Sequence, residues 1–233
     1  MKNNYVNNII LKKFLLLLGL LLISNFYNKK ENFDSHTETI CESIYLDDNT
    51  QKYKVVENIF TKKQCKQIII DAEKYAKKHK WKKKRHDNYP TVDNRITEKW
   101  KIWNIIHKQV KNEIYPNLES MYNLPKNKLG INEIFIIKYS EKGQRKLKYH
   151  IDGSEFSFVI GLNDGFTGGG TTFKKTGKNI ILKPGEGLVF SGQNKHKGNY
   201  ITSGTRYILA GFLNYDGENY CEKYIQNYRR FNW

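Results

Sequence analysis

The residues with the clearest chemical potential are a histidine and an aspartate two positions apart. His150 and Asp152 stand in the segment Tyr149-His150-Ile151-Asp152-Gly153-Ser154. In a β-strand, residues i and i+2 point to the same face, so the imidazole and the carboxylate would converge on one point. This ligand pair suits a borderline metal such as Fe(II). A His-x-Asp pair is common by chance, so the motif alone favours an ordinary polar pair at a strand end.

A second histidine and an arginine change this interpretation. His196 follows an apolar run and a polar turn, and Arg206 opens the apolar run Arg206-Tyr207-Ile208-Leu209. An arginine there is costly to bury without an anion, and its planar fork binds a carboxylate in two places. Two histidines and a carboxylate leave three metal positions open. The pattern therefore indicates a site for a metal and a dicarboxylate. The remaining histidines lie in a polar segment or on predicted helices and are assigned no role: His36, His79, His86 and His107.

Short runs of β-forming residues surround these side chains. Clusters of Gly, Asn and Asp separate them, which predicts a barrel or a sandwich. The run Gly168-Gly169-Gly170 has no Lys-Ser or Lys-Thr and no helix after it, so we expect a turn between strands rather than a phosphate loop. The predicted strands are Ile134–Tyr139, Phe156–Leu162, Thr171–Phe173, Ile180–Leu182, Gly187–Phe190 and Arg206–Leu213.

Two helices are predicted before the β-rich region. Thr61 and Gln64 have the spacing of a capping box at the start of the first helix. The second helix covers Thr97 to Ile114, and Pro116 is expected to stop or kink it. Both helices have apolar residues at helical spacing and are expected to pack on the core. These residues are Cys65, Ile68, Ile69, Ala72, Tyr75 and Ala76 in the first helix, and Trp100, Trp103, Ile106, Val110 and Ile114 in the second.

The N-terminal region contains an apolar run, Phe14 to Ile23, with lysines on both sides. This run is shorter than the roughly 20 residues that cross a membrane. Ile9 to Tyr27 would be long enough if Lys12 and Lys13 reached towards the interface. No small-x-small cleavage site follows, so we favour an uncleaved signal anchor and keep a cleaved signal peptide as the alternative. A polar stalk is expected to follow.

Composition limits the classes of protein to consider. The chain has 233 residues, of which 39% are hydrophobic, so wholesale disorder is excluded. Its formal net charge of +17 favours polyanions, anionic membranes or acidic substrates. For the basic segment Lys80–Arg85 we prefer a solvated helix end to a nucleic-acid site.

Without a Cys-x-x-Cys pair, zinc-ribbon and thioredoxin-type sites are excluded, and disulfide pairing among the cysteines stays open. The cysteines are Cys41, Cys65 and Cys221.

The segment Phe135–Tyr215 resembles the catalytic domain of the Fe(II)/2-oxoglutarate-dependent dioxygenases of the prolyl and lysyl hydroxylase superfamily. In spacing it is most similar to the lysyl hydroxylase type. The similarity covers about a third of the chain, and the combination of its motifs is highly specific. The matching residues are Lys138-Tyr139, Leu147-x-x-His150-x-Asp152-x-Ser154, Leu162-Asn163, Phe166-Thr167-Gly168-Gly169-Gly170-Thr171-x-Phe173, His196-x-Gly198 and Thr202-x-Gly204-x-Arg206-Tyr207-Ile208.

This resemblance implies an α+β, mainly β fold, in which N-terminal helices buttress a double-stranded β-helix of the jelly-roll type. It implies that His150, Asp152 and His196 bind Fe(II). It also implies that Arg206 pairs with the distal carboxylate of 2-oxoglutarate and that Tyr139 lines the same pocket. Family members use O2 as cosubstrate, release succinate and CO2, and commonly need L-ascorbate. Where lysyl hydroxylases usually carry an asparagine this chain has Val159, which weakens the transfer of substrate specificity.

The expected organisation is residues 1–28 as signal anchor or signal peptide, 29–54 as stalk, 55–128 as helical support, 129–216 as barrel and 217–233 as tail. We expect hydroxylation of peptidyl lysine or proline, with lysine slightly favoured. Asp164 and Glu155 are the candidate partners of a lysine ammonium group. The anchor would place the barrel on the lumenal, endoplasmic reticulum-like, or external side of a membrane, or the protein would be secreted after cleavage. An oxidative nucleic-acid demethylase and a non-catalytic basic binding module are the alternatives.

Overall fold

The computed structural model of the chain describes residues 51–86 and 88–215. The predicted signal anchor, most of the stalk and the C-terminal tail lie outside these residues, as do Cys41 and Cys221. Within the described part, no helix is long and apolar enough to span a membrane. Cys65 is a buried free thiol on the first helix.

Strands make up most of the described secondary structure. The helices are α1 (Lys62–His79), α2 (Trp103–Gln109) and α3 (Tyr115–Tyr122), with a π-helical turn at Val110–Ile114 between α2 and α3. The strands are β1 (Tyr53–Val56), β2 (Asp93–Arg95), β3 (Leu129–Ser140), β4 (Leu147–His150), β5 (Phe156–Gly161), β6 (Thr167–Gly168), β7 (Thr171–Phe173), β8 (Asn179–Ile180), β9 (Gly187–Ser191), β10 (His196–Gly198), β11 (Ile201–Ser203) and β12 (Thr205–Tyr215).

The strands form two main antiparallel sheets around an apolar core. The major sheet has the order β1-β9-β5-β12-β3-β2, the minor sheet has the order β4-β10-β7-β8, and β11 pairs with β6. One cluster of buried residues draws from both sheets, including Phe135 and Ile208 of the major sheet and Phe173 of the minor sheet. The ring of Phe173 meets that of Phe190 edge-on, with 5.3 Å between centroids. The core therefore lies between the sheets, as the barrel prediction requires.

Five of the six predicted strands are present almost as predicted, whereas the predicted strand Ile180–Leu182 shares only Ile180 with β8. The structure also adds strands that the sequence pattern did not reveal. β1 pairs with β9 at one edge of the major sheet, and β2 pairs with β3 at the other. β1 begins inside the segment predicted as stalk, and β2 lies inside the segment predicted as helical support. β2 is Asp93-Asn94-Arg95, which contains no β-forming residue, and β1 adjoins a polar segment. Their existence depends on the open sheet edges that they complete.

The start of α1 confirms the predicted capping box. The Thr61 side chain accepts a hydrogen bond from the backbone N–H of Gln64 at 3.2 Å, and the Gln64 side chain accepts one from the backbone N–H of Thr61 at 2.8 Å. Two backbone donors that the first helical turn leaves free are thereby satisfied. The buried face of α1 consists of Cys65, Ile68, Ala72 and Ala76.

The second helical region differs from its prediction at both ends. The residues after Thr97 form turns, and α2 begins only at Trp103. Pro116 was expected to stop or kink the helix, yet α3 continues to Tyr122. The wider π-helical turn comes just before Pro116, and the proline occupies the first turn of α3, where a missing N–H is tolerated. The helix therefore continues past Pro116 because a π-helical turn precedes the proline, and the spacing of apolar residues does not reveal such a turn.

A carboxylate fastens α1 to the outer side of the major sheet. Glu73 of α1 accepts hydrogen bonds from Lys138 Nζ at 2.7 Å and from the Tyr207 hydroxyl at 2.5 Å. Lys138 and Tyr207 face each other across β3 and β12. Their chain neighbours Tyr139 and Arg206 form the next pair along these strands. The helix is therefore tied to the two strands that carry the predicted cosubstrate-binding residues.

We expect Glu73→Gln to destabilise the protein at neutral pH by about 1 kcal/mol, because it removes the charge from a partly exposed pair. Partial burial alone would raise the pKa of Glu73, but the hydrogen bonds from Lys138 and Tyr207 hold it below its ordinary value of 4.5. A depressed carboxyl pKa stabilises the fold above the unfolded pKa, and this stabilisation is lost as pH falls through the folded pKa.

Denaturant unfolding of the parent and the Glu73→Gln variant, measured at pH 7 and at several values below 4.5, tests this expectation. The difference in the free energy of unfolding should shrink as Glu73 becomes protonated. Glu98→Gln, at an exposed position, is the matched control and should show little difference at any pH. If the difference in the free energy of unfolding between the parent and Glu73→Gln stayed constant down to the lowest pH measured, the charge of Glu73 would not be the origin of the stabilisation.

Candidate active site

Two neighbouring strands of the minor sheet bring the two predicted histidines together. His150 ends β4, His196 begins β10, and the two residues are direct partners in the antiparallel register. Their ring centroids are 4.3 Å apart. Asp152 follows β4, and its backbone N–H donates to the carbonyl of Gly192 at 2.8 Å. Backbone pairing therefore positions all three side chains at one end of the minor sheet.

The three side chains present their ligand atoms to one another. The Nε2 atom of His150 lies 3.4 Å from one carboxylate oxygen of Asp152, and the Nε2 atom of His196 lies 3.8 Å from the other. One ligand atom from each residue can be chosen such that all three lie within 4.8 Å of one another. All three residues are buried. The structure thus assembles the His150, Asp152 and His196 cluster that the sequence pattern predicted.

Hydrogen bonds orient each member of this triad. The Nδ1 atoms of His150 and His196 bond to the backbone carbonyls of Lys148 and Asn194 at 2.9 and 2.8 Å. A carbonyl only accepts, so each Nδ1 carries a proton, and Nε2 is the nitrogen that would bind a metal after losing any proton of its own. The hydroxyl of Ser157 donates to Asp152 at 2.5 Å. This donor set, two neutral imidazoles and one carboxylate, fits Fe(II).

Burial and mutual contact set the protonation of the triad. Burial opposes the ionisation of Asp152, but the neighbouring His196 and His150 lower its pKa to about 2. Burial, together with the nearby His150, lowers the pKa of His196 to about 4. Burial would also lower the pKa of His150, but its hydrogen bond with Asp152 and the charge of that carboxylate raise it. An ionised carboxylate beside a neutral His196 is therefore ready to accept a divalent cation.

We expect Ser157→Ala to weaken metal binding by roughly 10- to 100-fold, the usual effect of removing a group that hydrogen-bonds a metal ligand. Without the hydroxyl, one oxygen of Asp152 loses the donor that fixes its orientation. Co(II) titration followed by its absorption spectrum measures the affinity. Ser203→Ala, a hydroxyl removed on β11 well away from the triad in sequence, is the control. Equal affinity in parent and Ser157→Ala would assign Ser157 no role in positioning Asp152.

A cavity of about 330 Å³ opens beside the triad and contains both residues predicted to bind the cosubstrate. Arg206 of β12 and Tyr139 of β3 are direct partners across the two strands, and both are buried. The Arg206 guanidinium lies 5.8 Å from the centroid of the Tyr139 ring. Its Nη1 donates to the carbonyl of Gly170 at 3.3 Å, whereas its buried Nη2 has no partner among the described residues.

An unpartnered guanidinium nitrogen at this place fits a carboxylate ligand. Burial lowers the pKa of Arg206, yet a guanidinium keeps its charge in proteins, so the cavity holds an uncompensated cation. Burial raises the pKa of Tyr139 to about 12, so its hydroxyl stays protonated and able to donate. A dicarboxylate with one end at the metal and the other at Arg206 would satisfy both groups.

The triple-glycine segment shapes the wall near Arg206. Gly168, Gly169 and Gly170 have φ values of 76°, 72° and 95°, which side-chain-bearing residues rarely adopt. A Cβ atom on Gly169 would lie 3.3 Å from Cδ of Arg206. The predicted turn between strands is therefore confirmed, and the missing side chains leave room for the arginine.

The structure also brings to the cavity a segment to which the sequence analysis assigned no role. His86, Asn88, Tyr89 and Thr91 line the cavity, and the Tyr89 ring lies 5.1 Å from the ring of His150. His86 was assigned no role because it was expected to lie on a helix, but it lies outside the helices, lines the cavity and packs beside Phe135, at 4.9 Å between ring centroids. Nothing in the local pattern signals this, because the contacts join positions far apart in the chain.

The two acids predicted to receive an ammonium group lie elsewhere. Asp164 is exposed in the loop after β5, and Glu155 is buried outside the cavity lining. The cavity lining contains one carboxylate among the described residues, and that is the predicted ligand Asp152. Val159, the departure from the lysyl hydroxylase pattern, does line the cavity. This part of the prediction was wrong because proximity in sequence does not place a loop side chain in a barrel.

Similar sequences come from enzymes that modify procollagen. No family model matches the chain. A mimivirus protein described as procollagen lysyl hydroxylase and glycosyltransferase is 31% identical over 209 residues, which are 81% of this chain and 21% of that protein. Human procollagen-lysine,2-oxoglutarate 5-dioxygenase 2 is 28% identical over 171 residues, covering 66% of this chain and 22% of the human protein. The chain thus spans about a fifth of the length of these relatives.

Solved structures agree on the fold. The 2OG complex of a viral collagen prolyl hydroxylase from Paramecium bursaria Chlorella virus-1 superimposes with a TM-score of 0.54 at 16% identity, covering 71% of this chain and 97% of that one. A prolyl-4-hydroxylase from Pseudomonas putida gives a TM-score of 0.55 at 14% identity, over 74% and 97%. The two sheets accordingly form the predicted double-stranded β-helix. The sequence similarity and this fold show that the chain belongs to the Fe(II)/2-oxoglutarate-dependent dioxygenase superfamily of prolyl and lysyl hydroxylases.

Proposed function

We propose that this chain is an Fe(II)- and 2-oxoglutarate-dependent dioxygenase that hydroxylates lysine or proline in a polypeptide. One observation carries the proposal. A buried His150, Asp152 and His196 triad shares a cavity with a buried arginine whose Nη2 has no partner among the described residues. A metal and a dicarboxylate would satisfy both parts of the cavity at once. O2 would be the second cosubstrate, and L-ascorbate would keep the metal reduced.

Each residue has a distinct task in this proposal. His150 and His196 offer Nε2 lone pairs, and Asp152 supplies the anionic ligand. Arg206 binds the far carboxylate of 2-oxoglutarate, with the Tyr139 hydroxyl as an additional donor. A bound Fe(II) would supply the activation of O2, whose two atoms would end in succinate, formed with CO2 from 2-oxoglutarate, and in the hydroxyl group of the product. Apolar side chains around the cavity, such as Ile137 and Ile208, exclude water.

The polypeptide substrate is inferred from the similar proteins and from the shape of the site. Both sequence relatives bear names of procollagen-lysine enzymes, and the cavity mouth is flanked by the segment carrying Tyr89. An extended peptide suits such an open mouth. We keep lysine slightly ahead of proline because the sequence matches carry lysine in their names, although Asp152 is the one acid among the described residues that line the cavity.

Mass spectrometry of lysine- and proline-containing peptides tests this function. The full chain is incubated with Fe(II), 2-oxoglutarate, O2 and ascorbate. A 16 Da gain on peptide, dependent on 2-oxoglutarate and stoichiometric with succinate, is the expected result. Succinate without peptide oxidation, together with demethylation of a methylated oligonucleotide, would replace the proposal with a nucleic-acid demethylase. No turnover with any of these substrates, despite metal binding, would indicate a non-catalytic module.

We further propose that the apolar N-terminal segment anchors the protein to a membrane, with the barrel on the lumenal or external side. The support is the run Phe14 to Ile23 and its flanking lysines. Deletion of residues 1–28 is expected to give a protein that stays in the supernatant after membranes are pelleted and retains turnover, because the barrel begins well after that segment. Full-length protein released from membranes by alkaline carbonate would contradict the anchor.

A further inference from the structure

The solvent-accessible surface of the minor sheet and its adjoining turns carries lysines and no acids. We define the basic face as Lys146, Lys148, Lys174, Lys175, Lys195 and Lys197. The segments that form it, residues 142–151, 165–185 and 187–215, contain no Asp or Glu at all. None of the six lysines forms an ion pair with any of the described residues. By contrast, α1 mixes its lysines with Asp71 and Glu73.

Backbone pairing gathers these lysines onto one surface. Lys197 lies between the inward-facing His196 and Gly198 on β10, so it points away from the cavity. Its ammonium lies 4.9 Å from the ring centroid of Tyr149 on β4, next to Lys148. The backbone N–H of Lys174 donates to the carbonyl of Lys195 at 2.7 Å, and these two residues line one surface depression with Lys175. Uncompensated like charges held together in this way attract an anionic partner.

Part of the basic face is carried by the two strands that also carry both histidines of the candidate active site. Lys148 is two residues from His150, and Lys195 and Lys197 flank His196. An extended polypeptide advances about 3.3 Å per residue, so a chain with one residue at the metal could reach the basic face within a few residues. We propose that the basic face binds an acidic stretch of the substrate polypeptide, next to the residue that is hydroxylated. This inference rests on the proposed function for its choice of polypeptide.

Other polyanions fit the surface less well. Single-stranded nucleic acid needs free aromatic faces for base stacking, but the Tyr149 ring is already covered by Lys197. A membrane surface is favoured by apolar side chains that enter the lipid. The large apolar side chains exposed among the described residues are Val55, Ile70, Ile105, Ile181 and Tyr200. Ile181 and Tyr200 lie in the segments that form the basic face, and the Arg145 guanidinium lies 5.2 Å from the centroid of the Tyr200 ring.

Fluorescence anisotropy with a labelled deca-glutamate peptide tests the basic face without any turnover. Lys148→Glu/Lys197→Glu is expected to weaken binding by roughly tenfold, the sum of two exposed ion pairs. Lys174→Glu/Lys175→Glu, farther from the metal ligands in sequence, should show a similar loss. The control, Lys66→Glu/Lys77→Glu, makes the same charge change on exposed positions of α1. Binding by the control should stay within about twofold of the parent at 0.15 M salt, because screening limits distant charges.

Equal weakening in the control and in both basic-face variants would overturn the proposal, because it would show a response to net charge alone. The proposal would also be overturned if an oligothymidine or phosphatidylserine vesicles bound more tightly than the peptide and this binding depended on the basic face. In turnover assays, a target residue flanked by glutamates should show a lower KM than the same target flanked by lysines, and the preference should vanish in the basic-face variants. If deca-glutamate binds as expected but no peptide is hydroxylated, the proposed function is wrong. The proposal that the basic face binds an acidic polypeptide would still be supported.

Discussion

Alanine at His150 or at Asp152 is expected to abolish both 2-oxoglutarate turnover and tight Fe(II) binding. Each substitution removes one of three ligands whose donor atoms lie within 4.8 Å of one another. The site would then hold the metal by two protein ligands, too few for a stable facial arrangement. His150→Ala would also leave the negative charge of Asp152 buried without one of its two imidazole neighbours.

Two measurements separate loss of metal from loss of fold. Anaerobic equilibrium dialysis with Fe(II) gives the affinity, and release of CO2 from labelled 2-oxoglutarate gives the turnover. Thermal unfolding of the metal-free variants should remain cooperative. His79→Ala, an exposed histidine at the end of α1, is the control and should keep parental binding and turnover. Decarboxylation at the parental rate by either triad variant, with iron present, would remove that residue from the metal site.

Arg206→Ala should raise the KM for 2-oxoglutarate by at least a hundredfold. Removing one partner of a buried ion pair costs about 3–5 kcal/mol, and about 1.4 kcal/mol corresponds to each factor of ten in affinity. Arg206→Lys keeps the charge but loses the planar fork, so an intermediate KM is expected. Arg95→Ala, an exposed arginine on β2, is the control. An unchanged KM in Arg206→Ala would exclude Arg206 from the cosubstrate site.

The same substitution has a second expected signature in the ligand-free protein. The buried Nη2 of Arg206 has no partner among the described residues, so the arginine is poorly compensated before the cosubstrate binds. Arg206→Met should therefore leave the ligand-free protein at least as stable as the parent, while the rise in Tm caused by 2-oxoglutarate disappears. A large loss of stability in Arg206→Met without ligand would instead indicate that Arg206 supports the fold.

Features encoded by short-range spacing were predicted from the sequence. The capping box of α1 needs only Thr61 and Gln64, and helical periodicity identified the buried face of that helix. The triad was predictable because His150 and Asp152 share one strand end and His196 stands in a matching context on another. Residue chemistry limited the ligands to a metal and a dicarboxylate, and the family resemblance then implied that the dicarboxylate is 2-oxoglutarate.

Features that depend on which strands become neighbours required the tertiary structure. β1 and β2 exist because the two open edges of the major sheet accept them, and their own residues did not identify them as strands. The same long-range pairing excluded Asp164 from the cavity.

By itself, the sequence determined the candidate ligands His150, Asp152 and His196 and the candidate carboxylate-binding residue Arg206. Residue type and spacing can be recognised without knowing the fold. Only the tertiary structure decided that His86 and Tyr89 line the cavity, that Arg206 reaches it with a nitrogen that has no partner among the described residues, and that the lysine-bearing segments of the minor sheet become neighbours. The physical reason is that these contacts join segments far apart in the chain, and their geometry follows from sheet register and core packing rather than from local periodicity.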